Sequence, residues 1–199
     1  MKIVLADYGA GNLRSVCSAL ERAGAEAIVS PEPQAVREAE LAVIAGVGHL
    51  SACAEGLLQA GLADALRERV ESGRPVFGIC VGLQMLFEES EEGGSGLGFF
   101  RGPVVRLQAR RVPHMGWNTL SVRGKPEILD GLDGTDVYFA HSYTARPAEE
   151  LPGAEVEHGG TIVAAVERGV LAGVQFHPER SAAAGARLLR NVIAWSRSA

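Results

Sequence analysis

The chain has 199 residues and a formal net charge of -5, with 47% hydrophobic and 22% charged residues. That length suits one domain, residues 1–199, with a sizeable core, and the negative balance excludes the basic footprint of a nucleic-acid binder. No apolar run reaches the ~20 residues of a membrane span, and three cysteines without metal-ligand spacing argue against a disulfide framework or a metal site.

Lys2 to Tyr8 reads as a first strand, beginning at once without a signal-peptide cleavage pattern, so a cytoplasmic location is expected. Gly9-Ala10-Gly11-Asn12 is a turn, and Leu13 to Ala23 an amphipathic helix stopped by Gly24. Cys17 falls on its apolar spacing with Leu13, Val16 and Leu20, which reads as core. Ala25 to Val29 is a second strand, Pro31 to Ala39 holds a short helix, and Leu41 to Ala45 is a third strand. After the loop Gly46-Val47-Gly48-His49, a helical pattern continues to about Glu71, with Cys53 among its apolar positions. A strand, a sharp turn and a helix then fill Pro75 to Glu89. This alternation argues a parallel sheet with helices on both faces.

The texture changes after Glu88. An acidic, glycine-rich loop leads into strand-like segments at Val104–Leu107, Asn118–Val122, Val137–Phe139, Glu155–His158, Thr161–Glu167 and Leu171–Phe176. Turns such as His158-Gly159-Gly160-Thr161 and Glu167-Arg168-Gly169-Val170 predict antiparallel hairpins. A last helix, Ser181 to Trp195, has Ser181 placed as its N-cap. Gly9-Ala10-Gly11 resembles the start of a dinucleotide fingerprint, but Arg14 stands where the third glycine should be, so that reading fails.

Two stretches carry chemistry. In Gly78-Ile79-Cys80-Val81-Gly82 a cysteine ends a buried apolar run and begins a helical pattern, framed by glycines on both sides. This is the thiol form of a nucleophile elbow. The helix N-terminus favours thiolate over thiol and offers unpaired N–H groups to an oxyanion. In Gln175-Phe176-His177-Pro178-Glu179 an apolar strand ends in a histidine held extended by the following proline. In extended chain i and i+2 point to the same side, so Glu179 can hold the His177 imidazole. A lone cysteine is usually a small core residue. Two motifs at the C-terminal ends of strands, where open α/β sheets bind ligands, favour a nucleophile, base and orienter instead.

The elbow Gly-Ile-Cys-Val-Gly-Leu-Gln together with Gln-Phe-His-Pro-Glu resembles the class I, triad-type glutamine amidotransferases. Asp7-Tyr8-Gly9-Ala10-Gly11-Asn12-Leu13, Gly46-Val47-Gly48, Pro113-His114-Met115-Gly116-Trp117-Asn118 and Tyr138-Phe139-Ala140-His141-Ser142-Tyr143 narrow the likeness. They resemble the glutaminase subunits of imidazole glycerol phosphate synthases, over nearly the whole chain. The resemblance implies a three-layer, flavodoxin-like α/β fold with a mostly parallel central sheet and an added antiparallel hairpin region. It implies L-glutamine as substrate, with no cofactor and no metal. Cys80 would form a glutamyl thioester, His177 would shuttle protons and Glu179 would orient it. The N–H groups of Val47 and Val81 would form the oxyanion hole. Gly48, Gln84, Glu92, His141, Ser142 and Tyr143 would line the glutamine pocket. Ammonia would pass to a (β/α)8-barrel cyclase subunit in a heterodimer, with Asn12, Trp117, Tyr138 and Arg180 facing it. One departure is Ala45 where the family usually has proline before Gly46, which should loosen that loop.

Two other readings stay open at this point. A cysteine peptidase or γ-glutamyl hydrolase would use the same elbow and histidine without a partner. A non-catalytic module with a vestigial site would need neither.

Overall fold

The computed structural model describes residues 1–199. Its first half alternates as read: β1 (Lys2–Ala6), α1 (Leu13–Arg22), β2 (Glu26–Ser30), α2 (Pro33–Glu38), β3 (Leu41–Gly46), α3 (Leu50–Gln59), α4 (Leu62–Glu71), β4 (Val76–Cys80) and α5 (Val81–Gln84). The single helical pattern expected after His49 is two helices, because Gly61 adopts a left-handed φ of 67° between them. The helix after the elbow is only one turn long, shorter than its apolar spacing predicts. The carbonyls of Met85, Leu86 and Phe87 instead accept the N–H groups of Leu97, Phe100 and Gly98, as the acidic loop folds back over them. Gly96 permits that approach, since a Cβ there would lie 2.1 Å from the Phe87 oxygen.

The second half supplies β5 (Glu89–Ser90), β6 (Pro103–Arg106), β7 (His114–Thr119), β8 (Ser121–Arg123), β9 (Asp136–His141), β10 (Tyr143–Ala145), β11 (Gly153–Glu157), β12 (Thr161–Arg168), β13 (Leu171–Val174) and α6 (Ala182–Trp195). Both expected hairpins form, β11 with β12 and β12 with β13. The stretch read as one strand over 118–122 is divided between β7 and β8, and β5 and β10 carried no legible strand pattern.

The main sheet runs β2-β1-β3-β4-β13-β12-β11-β8. Its first five members are parallel, in the flavodoxin-like order 2-1-3-4-5 with β13 as the fifth. The remaining strands extend it antiparallel. The hairpin region is therefore continuous with the central sheet, which its local pattern could not reveal. All residues of β3 and β4 are buried, as expected for strands covered on both faces. Helix α1 packs with α6, while α2 and α3 pack with α4. Two smaller sheets, β10-β6-β5 and the antiparallel pair β7-β9, sit beside this frame.

The topology already assembles a site. β3, β4 and β13 are sheet neighbours and run the same way, so their C-terminal ends lie side by side. Those ends carry the Gly46-Val47-Gly48 loop, Cys80 and the Gln175–Glu179 segment respectively.

Candidate active site

Cys80 is the last residue of β4 and the residue before α5, with φ 56° and ψ -111°. A non-glycine residue there is strained by ~1–3 kcal/mol, as nucleophile elbows are. Both flanking glycines are required by close approach rather than by their own φ. A Cβ at Gly78 would lie 2.5 Å from the Gly82 oxygen, and one at Gly82 would lie 1.9 Å from the Ile44 oxygen. The thiol is almost wholly buried.

His177 follows β13. Its Nδ1 meets Glu179 Oε1 at 2.9 Å, the i, i+2 contact expected from the extended backbone. Nδ1–H therefore donates to the carboxylate, and Nε2 is left for Cys80. Burial alone would push the imidazolium down. Hydrogen bonds and charge from Cys80 and Glu179 overcome it, pushing His177 up from its ordinary 6.5 to about 10. The second Glu179 oxygen is buried without a partner, so the carboxylate is committed to the imidazole. Ser181 stands before α6 as read, but its hydroxyl makes no cap bond. It donates to the His177 carbonyl at 2.7 Å and accepts the Tyr138 N–H at 2.9 Å. The Tyr138 carbonyl in turn accepts the His177 N–H at 2.9 Å, so β9 holds the histidine backbone on both sides.

A cavity of about 460 Å³ opens beside the sulfur. Cys80, Val47 and Val81 line it, and so do Gly48, Gln84, Glu92, His141, Ser142 and Tyr143. Every oxyanion and pocket residue read from the sequence is thus brought together, on four separate segments. His177 and Glu179 stand outside the lining. The sequence reading missed His49, Arg106 and Met115, which also line the cavity. Met115 had a signal, since it lies within the Pro-His-Met-Gly-Trp-Asn stretch; Arg106 had none. Glu92 is engaged at both oxygens: Oε2 accepts the Leu50 N–H at 2.7 Å, capping α3, and Oε1 meets His49 Nδ1 at 2.8 Å.

Tyr8 was also missed as a working residue. Its buried hydroxyl donates to the Ala45 carbonyl at 2.8 Å, fixing the end of β3 where proline is usual. Burial first, then Cys53 and Cys80, push its phenol up. Cys53 is core, with its thiol donating to the Val47 carbonyl at 3.6 Å. Cys17 is only half-buried, a correction to its reading as core; its thiol donates to the Ala27 carbonyl.

The four residues read as partner-facing divide. Asn12 stands exposed at the N-cap position of α1, and its side chain makes no cap bond. Trp117 is 54% exposed. It stands edge-on to its cross-strand neighbour Tyr138, and the Arg180 guanidinium lies 4.1 Å over the Tyr138 ring. With Met115, which is 65% exposed, these side chains form an apolar, cation-capped patch at the rim of the site. No group of histidine, cysteine or carboxylate residues could hold a metal ion, and no helix is long and apolar enough to cross a membrane.

Comparison with known proteins agrees with this arrangement. The family described as Glutamine amidotransferase class-I matches residues 4–195. The imidazole glycerol phosphate synthase subunit HisH of Corynebacterium glutamicum is 45% identical, over 96% of this chain and 97% of its own. That of Mycolicibacterium paratuberculosis is 46% identical, over 96% of each. Among solved structures, a glutamine amidotransferase superposes with a TM-score of 0.78 at 22% identity, over 98% of both chains. The structure of PurLQS from Thermotoga maritima does so with a TM-score of 0.74 at 17% identity, again over 98% of both; the two structures support the fold. An elbow cysteine, a carboxylate-held histidine and this degree of likeness along the whole chain lead to one conclusion: the chain belongs to the class I glutamine amidotransferases, in the family of imidazole glycerol phosphate synthase HisH subunits.

Proposed function

We propose that this chain is a glutaminase subunit that hydrolyses L-glutamine to glutamate and ammonia and delivers the ammonia to a cyclase subunit. The observation that carries the proposal is the line Glu179–His177–Cys80 ending at the wall of a cavity. The Cys80 thiolate attacks the carboxamide carbon of glutamine, and the carbonyl electron pair moves to oxygen. The N–H groups of Val47 and Val81 receive that oxyanion; such a donor contributes ~10²–10³ in rate. His177, charged while paired, gives its proton to the leaving nitrogen, and ammonia departs as the thioester forms. His177, now neutral, takes a proton from water, which attacks the thioester to release glutamate and the thiolate. Glu179 holds the imidazole in the tautomer these steps need.

The cavity suits an amino acid. Glu92 offers a carboxylate to the α-ammonium, and Arg106 offers a cation on another wall. Gly48, Gln84, His141, Ser142 and Tyr143 supply polar edges for the rest. The patch of Trp117, Tyr138 and Arg180, with Asn12, is the face for the partner, a (β/α)8 cyclase. Its product would be imidazole glycerol phosphate, with an aminoimidazole carboxamide ribotide. The relatives' name as synthase subunits supports a heterodimer of this kind and a cytoplasmic biosynthetic role.

The test is the reconstituted complex carrying Cys80→Ala. Glutamine should give no product at any concentration, while added ammonium salt should still drive the cyclase reaction, increasingly as pH rises. A peptidase has no synthase reaction to rescue, and a vestigial module would leave the wild type dependent on ammonia. Synthase activity with glutamine in Cys80→Ala would defeat the proposal.

A further inference from the structure

A chain of side-chain hydrogen bonds with only one possible polarity ends on the Cys80 sulfur. It is anchored by carbonyls, which can only accept. The Tyr143 carbonyl is met by His141 Nδ1 at 2.8 Å and by Gln84 Nε2 at 2.9 Å. His141 therefore carries its proton on Nδ1, and its Nε2 accepts from His114 Nδ1 at 2.9 Å. His114 Nε2 then accepts from Asn118 Nδ2 at 3.2 Å. The Asn118 amide is fixed independently: Nδ2 donates to the Glu157 carbonyl at 3.0 Å, and Oδ1 accepts the Thr119 N–H at 2.8 Å. Both ends demand the same direction, and both imidazoles are neutral in it. Burial keeps them so, pushing His114 down to about 4 and His141 to about 3.

On the other side of the Tyr143 carbonyl, Gln84 has one amide hydrogen left. It goes to Gln175 Oε1 at 3.0 Å. The Gln175 amide thus presents its oxygen to Gln84 and its NH2 to Cys80, where Nε2 lies 3.7 Å from Sγ. Gln175 is wholly buried and Gln84 nearly so, and no water can intervene: turning Gln84 would set its oxygen against the Tyr143 and Gln175 oxygens, and turning Gln175 would set its NH2 against that of Gln84 and its oxygen against the sulfur.

We infer that Gln175 is a donor to the reacting sulfur, aimed by Gln84 and the Tyr143 carbonyl, and that its N–H stabilises the Cys80 thiolate before and after the thioester. The inference rests on Cys80 being the nucleophile. It assigns work to a residue whose neighbours in the Gln-Phe-His-Pro-Glu stretch are the base and its orienter. The polarity is well suited to that work. A carboxamide oxygen at the same place would repel the thiolate, and the Tyr143 carbonyl, which can only accept, keeps the oxygen away by fixing the Gln84 amide and through it that of Gln175. The other titratable groups facing Cys80 are His177, Tyr8 and Cys53. They are unchanged in a Gln175 variant, so a difference from wild type reports the amide.

The test uses Gln175→Met, which removes the donor at similar volume, and Gln175→Glu, which keeps the shape. In the free chain, the rate of iodoacetamide alkylation at Cys80, located by peptide mapping, is followed against pH. Its midpoint should rise by about one unit in Gln175→Met, a tenfold loss of thiolate, and further in Gln175→Glu, whose carboxylate repels it. In the complex, kcat with glutamine should fall about tenfold in Gln175→Met with KM within twofold, and synthase activity with ammonium salt should be unchanged. A merely structural role would lower the thermal midpoint and leave the alkylation profile in place. Unshifted profiles in both variants, with kcat within twofold, would overturn the inference. Should either variant fold poorly, the wild type still decides: the Gln175 side-chain amide resonance must move with the Cys80 titration and lose that response in Cys80→Ala, and a resonance indifferent to Cys80 refutes it. A failed glutaminase assignment would look different, since wild type itself would then show neither Cys80 labelling nor glutamine turnover.

Discussion

Gly82→Ala tests whether the elbow is held by backbone contact. Gly82 lies outside the left-handed region, so an alanine meets no conformational penalty there, only the added methyl. That methyl would sit 1.9 Å from the Ile44 oxygen and 2.7 Å from its carbon. Ordinary contact begins at 3.4 Å, so α5 and β3 must separate by about 1.5 Å, the difference between those two distances. The wedge acts two residues from Cys80 on one side and two residues from Gly46 on the other. It therefore moves the sulfur away from the Val47 loop. Misplacement of about 1 Å at a reacting centre costs ~10²-fold in rate, and overpacking costs ~1–3 kcal/mol. For a chain of this length each kcal/mol lowers Tm by roughly 2–4 °C. Glutamine turnover in the complex should fall about a hundredfold and Tm by about 2–12 °C, while synthase activity with ammonium salt persists. Glutamine turnover within threefold of wild type in a folded Gly82→Ala complex would show that the approach of α5 to Ile44 does not set the reacting geometry.

A glutamine-like affinity label should modify Cys80 and spare Cys53, which is equally buried but does not line the cavity beside Cys80; peptide mapping that finds the label mainly on Cys53 or Cys17 would sink the site assignment. Glu179→Gln should reduce turnover less than Cys80→Ala and draw the alkaline limb of the pH–rate profile downward, because one of the two groups, Cys80 and Glu179, that keep His177 protonated up to about 10 has lost its charge. The sign follows for stability too: with His177 raised from 6.5 when folded by Cys80 and by Glu179, these contacts stabilise fully below 6.5 and lose their contribution as pH rises through about 10. Urea midpoints of wild type and Glu179→Gln should therefore differ near pH ~6 and converge above about 10, and a constant gap would contradict this. Tyr8→Phe removes the hydroxyl from the Ala45 carbonyl and should cost ~1 kcal/mol, seen as a lower urea midpoint; an unchanged midpoint would mean that β3 ends as firmly without it.

Local pattern determined a good deal here. The glycine frame of Cys80, the extended His-Pro-Glu and the early strand–helix alternation are short-range features, written in residues one to four positions apart. Their consequences, the elbow strain at Cys80 and the Glu179 contact with His177, followed directly. Resemblance supplied what spacing could not, the pocket residues Gln84, Glu92 and His141–Tyr143, which come from segments far apart in the chain. Tertiary structure alone decided three things. It ended α5 after one turn, because the carbonyls of Met85 to Phe87 found partners in a loop ten or so residues on. It returned β13 to the parallel sheet beside β4, which is what brings His177 to Cys80 across 97 positions of sequence, 177 less 80. And it set the donor direction of the hydrogen bonds on either side of the Tyr143 carbonyl, from Asn118 on one side and towards Cys80 on the other. That direction depends on which atoms face the Tyr143 carbonyl, and no periodicity records it: a glutamine reads the same in sequence whichever way its amide is turned.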